Sequence, residues 1–521
     1  MASDESGAAA QHHPAVTATA AAARSLSGGD QGIRELAIYH LTANIISRAR
    51  GQRIVAAAAY RAGAVLRDEH YGVTHNYAGR RDTMHAEIMA PPGSPSWVQD
   101  REVLWNAVEA GEVRKDSQLA RVIEVGLPIE LSADEHVALV RDYIAKEFVA
   151  KGMIADFFIR KNANNPHAHI LLTLRGVTQS GFGPKERRWN GKSALLEWRS
   201  AWAVRANEHL ARAGHAVRID HRTLEAQQIE LTPGRRIGRA RRRDAVLPSH
   251  VSERIAEQQL IAGENGRTIL DDPTVALRAI TQQRPMFTFQ ELAQFLRSRT
   301  ENAAQLDAAL LAITHSADLV ALDPVDGMRG RFTSRDMIEA QQSLIRRTAS
   351  MLLRPGHAVD SDRQSAALAQ FTLSDAEQRA FRYLVSEGAI KALAAADGAK
   401  ATVLAAAHRA WNAQGLAVKG AAPSAAAAGN LEAATGIVSQ SLAQCEDEWR
   451  RGLGLLTRGA VFVLDVSQVL GLKQLESALA AADNARAKIV LMADADELQA
   501  MKAEPPFCTV LSQAARASTH R

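Results

Sequence analysis

The chain has 521 residues, is 46% hydrophobic and carries a formal net charge of +5, the profile of an ordinary globular protein large enough for about three domains. Its two cysteines, Cys445 and Cys508, lie far apart without CxxC spacing, and no apolar run reaches the roughly 18 residues that span a bilayer. That excludes a cysteine zinc site and a membrane-spanning chain, and it points to a reducing, cytoplasmic setting.

Charge is unevenly spread. Residues 31–244 hold 33 Lys and Arg against 24 Asp and Glu, so this half is basic and suited to a polyanionic partner. Residues 1–34 offer little bulk to bury and are expected to form a disordered extension. Asp4 and Glu5 stand where a signal peptide would be positive. "LAIYHLTA" (36–43) alternates as a strand, with Ile38, His40 and Thr42 on one face. "GQRIVAAAAYRAGAVLRDE" (51–69) predicts a helix whose stripe runs through Val55, Ala58, Ala59, Ala62 and Leu66. Short strands follow at "HAEIMAPP" (85–92) and "QLARVIEVGLP" (118–128). Ser132 and Glu135 form a capping-box pattern at the head of the next helix. "IADFFIRK" and "HAHILLTLR" are two more strands, joined by the polar turn "NANNP". A further amphipathic helix ends near Gly214. This alternation predicts an α+β domain with an antiparallel sheet flanked by helices over residues 35–244.

The basic run "PGRRIGRARRRD" (233–244) reads as a boundary or a phosphate-contacting arm. Residues 245–370 are mostly helical in pattern and form a connecting region. From 371 to 521 a second α/β texture holds two apolar strands, "GAVFVLDVS" (459–467) and "AKIVLMADAD" (487–496).

Two features carry chemistry. In a strand, residues i and i+2 share a face, so His167 and His169 project together. Two imidazoles on one sheet face are the start of a divalent metal site; two partly buried histidines with ordinary hydrogen bonds leave the same trace in sequence. The second feature is Tyr60 in "AAAAYRAG", whose small neighbours leave its hydroxyl accessible beside Arg61. A phenolate attacks a phosphodiester when the phosphoryl oxygens are polarised. Arg48, Arg50 and Arg53 precede or open the helix of Tyr60; this cluster, the basic run with Arg235, Arg236 and Arg239, or both are expected to contact nucleic-acid phosphates.

The blocks "AIYHLTANIISRARGQRIVAAAAYRAG", "HAEIMAP", "NPHAHILLTLR" and "GHAVRIDHRTLEAQQIELTPG", in this order, resemble the MobA/MobL relaxases, above all the TraA-type relaxase-helicases. The resemblance implies an enzyme of plasmid conjugation and mobilisation that binds single-stranded origin-of-transfer DNA, nicks one strand and stays attached to its 5′ end. It makes Tyr60 the nucleophile and His167 and His169 ligands of Mn²⁺ or Mg²⁺. The family's third histidine, on the neighbouring strand, is replaced here by Arg160, which has no lone pair to give a cation. Metal binding is therefore expected to be weak, with Glu87 as the replacement carboxylate, or with Arg160 neutralising phosphate charge directly. The alternative is an origin-binding relaxosome component that nicks poorly or not at all; other relaxosome or coupling proteins are further expected partners.

"LSDAEQRAF" (373–381) resembles the entry to the family's helicase part. The P-loop expected next is damaged: Ala394 and Ala399 stand at the glycine positions, Lys400 remains, and Ala401 stands where a hydroxyl is needed, with Thr402 one residue late. Asp465 is kept but Val466 replaces the expected glutamate, and Ala493, Asp494 and Glu497 occupy the next motif. A degenerate, truncated RecA-like domain without ATPase activity is the expectation.

Overall fold

The first strand starts at Leu41, later than its alternation suggests, and runs to Ser47 as β1. The computed structural model describes residues 39–160, 166–179, 181–227, 229–233, 249–322, 330–394, 397–454, 456–466 and 470–493. The expected extension 1–34 and the run 234–244 with Arg235, Arg236 and Arg239 lie outside these.

After β1 comes helix α1, Ile54–Ala62. The Ala-rich period predicts helix to Glu69, but Gly63 ends it. Gly63 is left-handed (φ 66°) and its N–H bonds the Ala59 carbonyl. Leu66 then belongs to a strand, β2 (Val65–Asp68), which forms a hairpin with β3 (Val73–Asn76). β4 (Thr83–Met89), α2 (Arg101–Ala110), β5 (Gln118–Gly126), α3 (Ala133–Glu147), β6 (Ala155–Arg160) and β7 (His167–Thr173) follow. The capping box of Ser132 and Glu135 is formed at α3. A hairpin, β8 (Arg175–Thr178) and β9 (Gly181–Lys185), leads into α4 (Lys192–Arg212).

The main sheet has five antiparallel strands in the order β1-β5-β7-β6-β4. One face packs Ile123, Val125, Phe157, Ile159, Ile170 and Leu172 against Tyr143 of α3 and Trp198 and Trp202 of α4, all buried. The Tyr143 hydroxyl donates to the Trp198 carbonyl at 3.0 Å, so the ring is buried without an orphaned donor. The other face packs Ile46, Val122, Phe158 and Leu171 against α1 and α2. β6 is buried along its whole length, and its polar residues are paired: Asp156 accepts from Arg101 and from the Trp105 indole at 2.8 Å.

Residues 222–281 and 286–335 form a separate compact unit. It is built on helices α5 (Ser249–Asp271), α6 (Pro273–Gln283), α7 (Phe289–Arg297) and α8 (Ala303–Thr314). It also holds a small sheet that the helical pattern did not predict, β10 (Phe287–Thr288), β12 (Arg331–Ser334) and β11 (Leu319–Leu322) in that order.

Helix α9 (Arg335–Leu353) packs on a second α/β arrangement: Ser343 donates to Glu476 at 2.7 Å and Arg347 to Asp483 at 3.0 Å. There five parallel strands lie in the order β13 (Ile390–Ala394), β17 (Lys488–Ala493), β16 (Val461–Asp465), β14 (Val418–Ala422) and β15 (Ser439–Ser441). Residues 397–413 form a helix directly after β13.

Candidate active site

α1 turns Ile54, Val55, Ala58 and Ala59 into the sheet and leaves Tyr60 on its rim, 38% exposed. The loop from Tyr77 to Thr83 is tied to the end of this helix. The Tyr77 N–H donates to the Ala64 carbonyl at 3.0 Å, and the Thr83 hydroxyl to the Arg61 carbonyl at 2.9 Å. A Cβ on Gly63 would stand 3.1 Å from the Arg80 carbonyl, a tight contact that adds to the strain a side chain would meet at this positive φ.

That loop delivers two residues the sequence reading missed. The Arg80 guanidinium lies 3.9 Å from the Tyr60 ring centroid, and Tyr77 meets the same ring edge-on at 5.3 Å. Asp82 accepts from Arg80 at 2.5 Å and from Arg160 at 2.6 Å. Hydrogen bonding from Arg80 first, and the Arg160 charge after it, holds the Asp82 carboxyl down at about 2. Only the short charged run "RRD" at 80–82 marked this loop in sequence.

Arg160 is the hub. It is 3% exposed, and its guanidinium lies 5.2 Å from the Tyr60 ring. It pairs with His167 across β6 and β7, while His169 pairs with Phe158, so Arg160, His167 and His169 share the sheet face covered by α1. The two imidazoles meet edge-on, 5.1 Å between centroids. Burial and then the Arg61 charge hold His169 far below the ordinary histidine range, so it is neutral. Arg61 itself is pushed down to about 10 by burial and by Arg160. Glu124, on the neighbouring strand, lies 3.8 Å from His169 and 4.0 Å from His40.

Glu87 is a correction. It pairs with Phe157 across β4 and β6, which puts it on the opposite face from both histidines. There it accepts from His85 at 2.7 Å and from Arg141 at 2.8 Å. The residues present do not fit a bound dication. Among the described residues no cluster of three or more His, Cys, Asp or Glu is arranged to hold a metal, and of the charges acting on His169 that of Arg61 is the largest, opposed by Glu124 and joined by Arg160.

The arginines expected on DNA divide. Arg48 is structural: it pairs with Glu109 at 2.6 Å, both nearly inaccessible, and donates to the carbonyls of Glu109, Glu112 and Arg114. Arg50 and Arg53 are exposed, Arg53 lying over the Tyr71 ring at 4.1 Å.

A MobA/MobL family model matches residues 52–245. The chain carries a MobA/MobL family domain. An AAA domain model matches residues 372–520. Conjugal transfer protein TraA of Rhizobium radiobacter is 32% identical over 519 residues, 91% of this chain and 47% of that protein. Mobilization protein MobL of Acidithiobacillus ferridurans is 34% identical over 240 residues, 39% of this chain and 63% of the relative. A chain solved in work on the molecular basis of vancomycin resistance transfer in Staphylococcus aureus is 35% identical; it covers 36% of this chain and all of that one, with a TM-score of 0.35. The chain spans about half the length of the TraA relatives it matches.

In the AAA domain, Lys400 sits in the first turn of the helix after β13 and is 5% exposed. Asp465 ends β16, two strands away, and Val466 beside it is buried. The Thr402 hydroxyl donates back to the Gly398 carbonyl at 3.1 Å, which engages it within the helix. Residues 395–396, in the motif loop, and Asp494 and Glu497 lie outside the described residues.

Proposed function

We propose that the MobA/MobL domain is a DNA-strand transferase of plasmid conjugation, acting in the cytoplasm on single-stranded origin-of-transfer DNA. The observation that carries this reading is the setting of Tyr60. It is an accessible phenol on a packed helix, with Arg80 and Arg160 against its ring and two imidazoles on the strand beside Arg160. The Oη–P bond forms as the P–O3′ bond breaks. The electron pair leaves on the 3′ oxygen, which takes up a proton, and the phenolic proton goes to solvent. The strand stays attached through its 5′ phosphate, and the reverse reaction rejoins it. The names of the TraA and MobL relatives support the same setting. The test is a covalent adduct between the protein and a labelled pool of randomised single-stranded oligonucleotides. It is expected with Tyr60 and lost in Tyr60→Phe; binding without an adduct would leave an origin-binding component instead.

We also propose that the AAA domain does not hydrolyse ATP. Alanines stand at 394 and 399, where a backbone that wraps phosphates needs glycine, and Val466 offers no polar atom to position water.

A further inference from the structure

We infer that Arg61, Arg80 and Arg160 form a guanidinium clamp that holds the reacting phosphate where a divalent cation would otherwise stand, so that strand transfer by Tyr60 needs no metal. This rests on the transferase reading above.

Three observations converge. The first is position. Arg80 and Arg160 both lie against the Tyr60 ring, at 3.9 and 5.2 Å, and Arg61 is its chain neighbour, folded back on the Ala57 carbonyl at 2.9 Å. The second is unmet hydrogen-bonding capacity. The Nε atoms of Arg61 and Arg160 are buried and have no acceptor among the described residues. A buried donor of this kind destabilises the fold, and an anionic oxygen is the partner that relieves it best. The third is the holding device. Asp82 accepts from Arg80 and Arg160 together, which keeps two like charges adjacent and fixes the gap between them. The same face offers a cation one carboxylate and two opposing charges: His169 Nδ1 is buried without a hydrogen-bond partner, 3.8 Å from Glu124, and Arg61 and Arg160 both act against positive charge there.

The chemistry suits the nucleophile. A phosphodiester carries one negative charge and gains a second as it becomes five-coordinate. Guanidinium groups stay charged across the physiological range and supply hydrogen bonds along with charge. They cannot ionise a bound water as a metal does, and a tyrosine nucleophile requires none. The clamp makes and breaks no bond itself. The Oη–P bond replaces the P–O3′ bond, and the guanidinium groups stabilise the extra charge between those events.

The experiment uses the full chain and the same randomised single-stranded pool, with adduct yield measured in EDTA and in Mn²⁺. Binding of Mn²⁺ alone is measured by calorimetry. Wild type is expected to give equal adduct in both conditions. Arg160→Lys and Arg80→Gln are expected to lower the adduct rate about 100-fold, the usual cost of one donor to a developing anion. The part-exposed Arg80 keeps the test open if changes at buried Arg160 disturb folding, which circular dichroism reads. Arg160→His is expected to bind Mn²⁺ more tightly than wild type and to form its adduct only with Mn²⁺. Loss of the wild-type adduct in EDTA with recovery in Mn²⁺ would overturn the clamp and leave the transferase standing. No Tyr60-dependent adduct in any condition would overturn the transferase reading and the clamp with it.

Discussion

Asp82 accepts a hydrogen bond from Arg160 on a central strand at 2.6 Å and another from Arg80 in a loop at 2.5 Å. One carboxylate thus ties the sheet to the loop that covers Tyr60. Asp82→Asn keeps the shape and removes the charge, so Arg80 and Arg160 repel. Because Asp82 is 41% exposed, the effect on stability is expected to stay below about 1 kcal/mol. The adduct rate is expected to fall about tenfold through misplaced donors. A melting curve and an adduct time course on one sample separate the two effects. A large loss of stability with unchanged rate would make Asp82 a purely structural residue.

Tyr60→Phe removes one oxygen from a rim position. Stability is expected to change by less than about 0.5 kcal/mol, as for other surface changes. Affinity for a mixed-sequence single strand is expected to hold while the adduct disappears. A persisting adduct in this variant would move the nucleophile elsewhere.

Arg48 and Arg53 are expected to behave oppositely. Arg48→Ala strands the buried Glu109 carboxylate and is expected to cost about 3 kcal/mol of stability. Arg53→Ala is expected to leave stability alone and to reduce the slope of log affinity against log salt by about 0.7, the value of one single-strand phosphate contact. Denaturant melts and salt-series binding on both variants check this; a slope that moves with Arg48 alone would reverse the assignment.

Lys488 gives a pH signature to the AAA domain. Burial, and Lys391 after it, lowers its pKa to about 7, and its ammonium donates to the Ser386 carbonyl at 2.6 Å. The unfolded value is about 10.4. Between these values the unfolded chain holds a proton that the folded chain has released, so stability rises with pH. From pH 7 to pH 9 the gain from this group is about 2 kcal/mol. Lys488→Met is expected to flatten the rise in denaturation midpoint over that range; an unchanged rise assigns it to other groups.

Phosphate release with ATP and single-stranded DNA is expected to stay at background for the full chain. Lys400→Ala should leave it there. Turnover that this substitution abolishes would show a working site despite Ala394, Ala399 and Val466.

Much of the sheet was readable because its strands carry period-two patterns and the α3 cap is local chemistry. Arg160 was readable as the odd residue beside two histidines. Glu87 was not placed correctly, because its face depends on how β4 pairs with β6 and on the irregularity between Thr83 and His85. Neither is visible in "HAEI". Arg48 looks like a DNA contact until Glu109, 61 residues on, closes over it. The end of α1 was missed because alanine propensity continues past the point where Gly63 adopts positive φ. Arg80 and Asp82 escaped notice because loop residues have no period to betray their direction.

The sharing of one face by Arg160, His167 and His169 depends on strict alternation along two paired strands. An insertion or deletion of one residue within β6 or β7 would swing the Arg160 guanidinium or the two imidazoles into the aromatic layer of Tyr143 and Trp202. Length variation is therefore closed to this site. Its chemistry changes only by exchanging one side chain for another in a fixed frame, and a ligand position can become a guanidinium, or the reverse, without any strand moving.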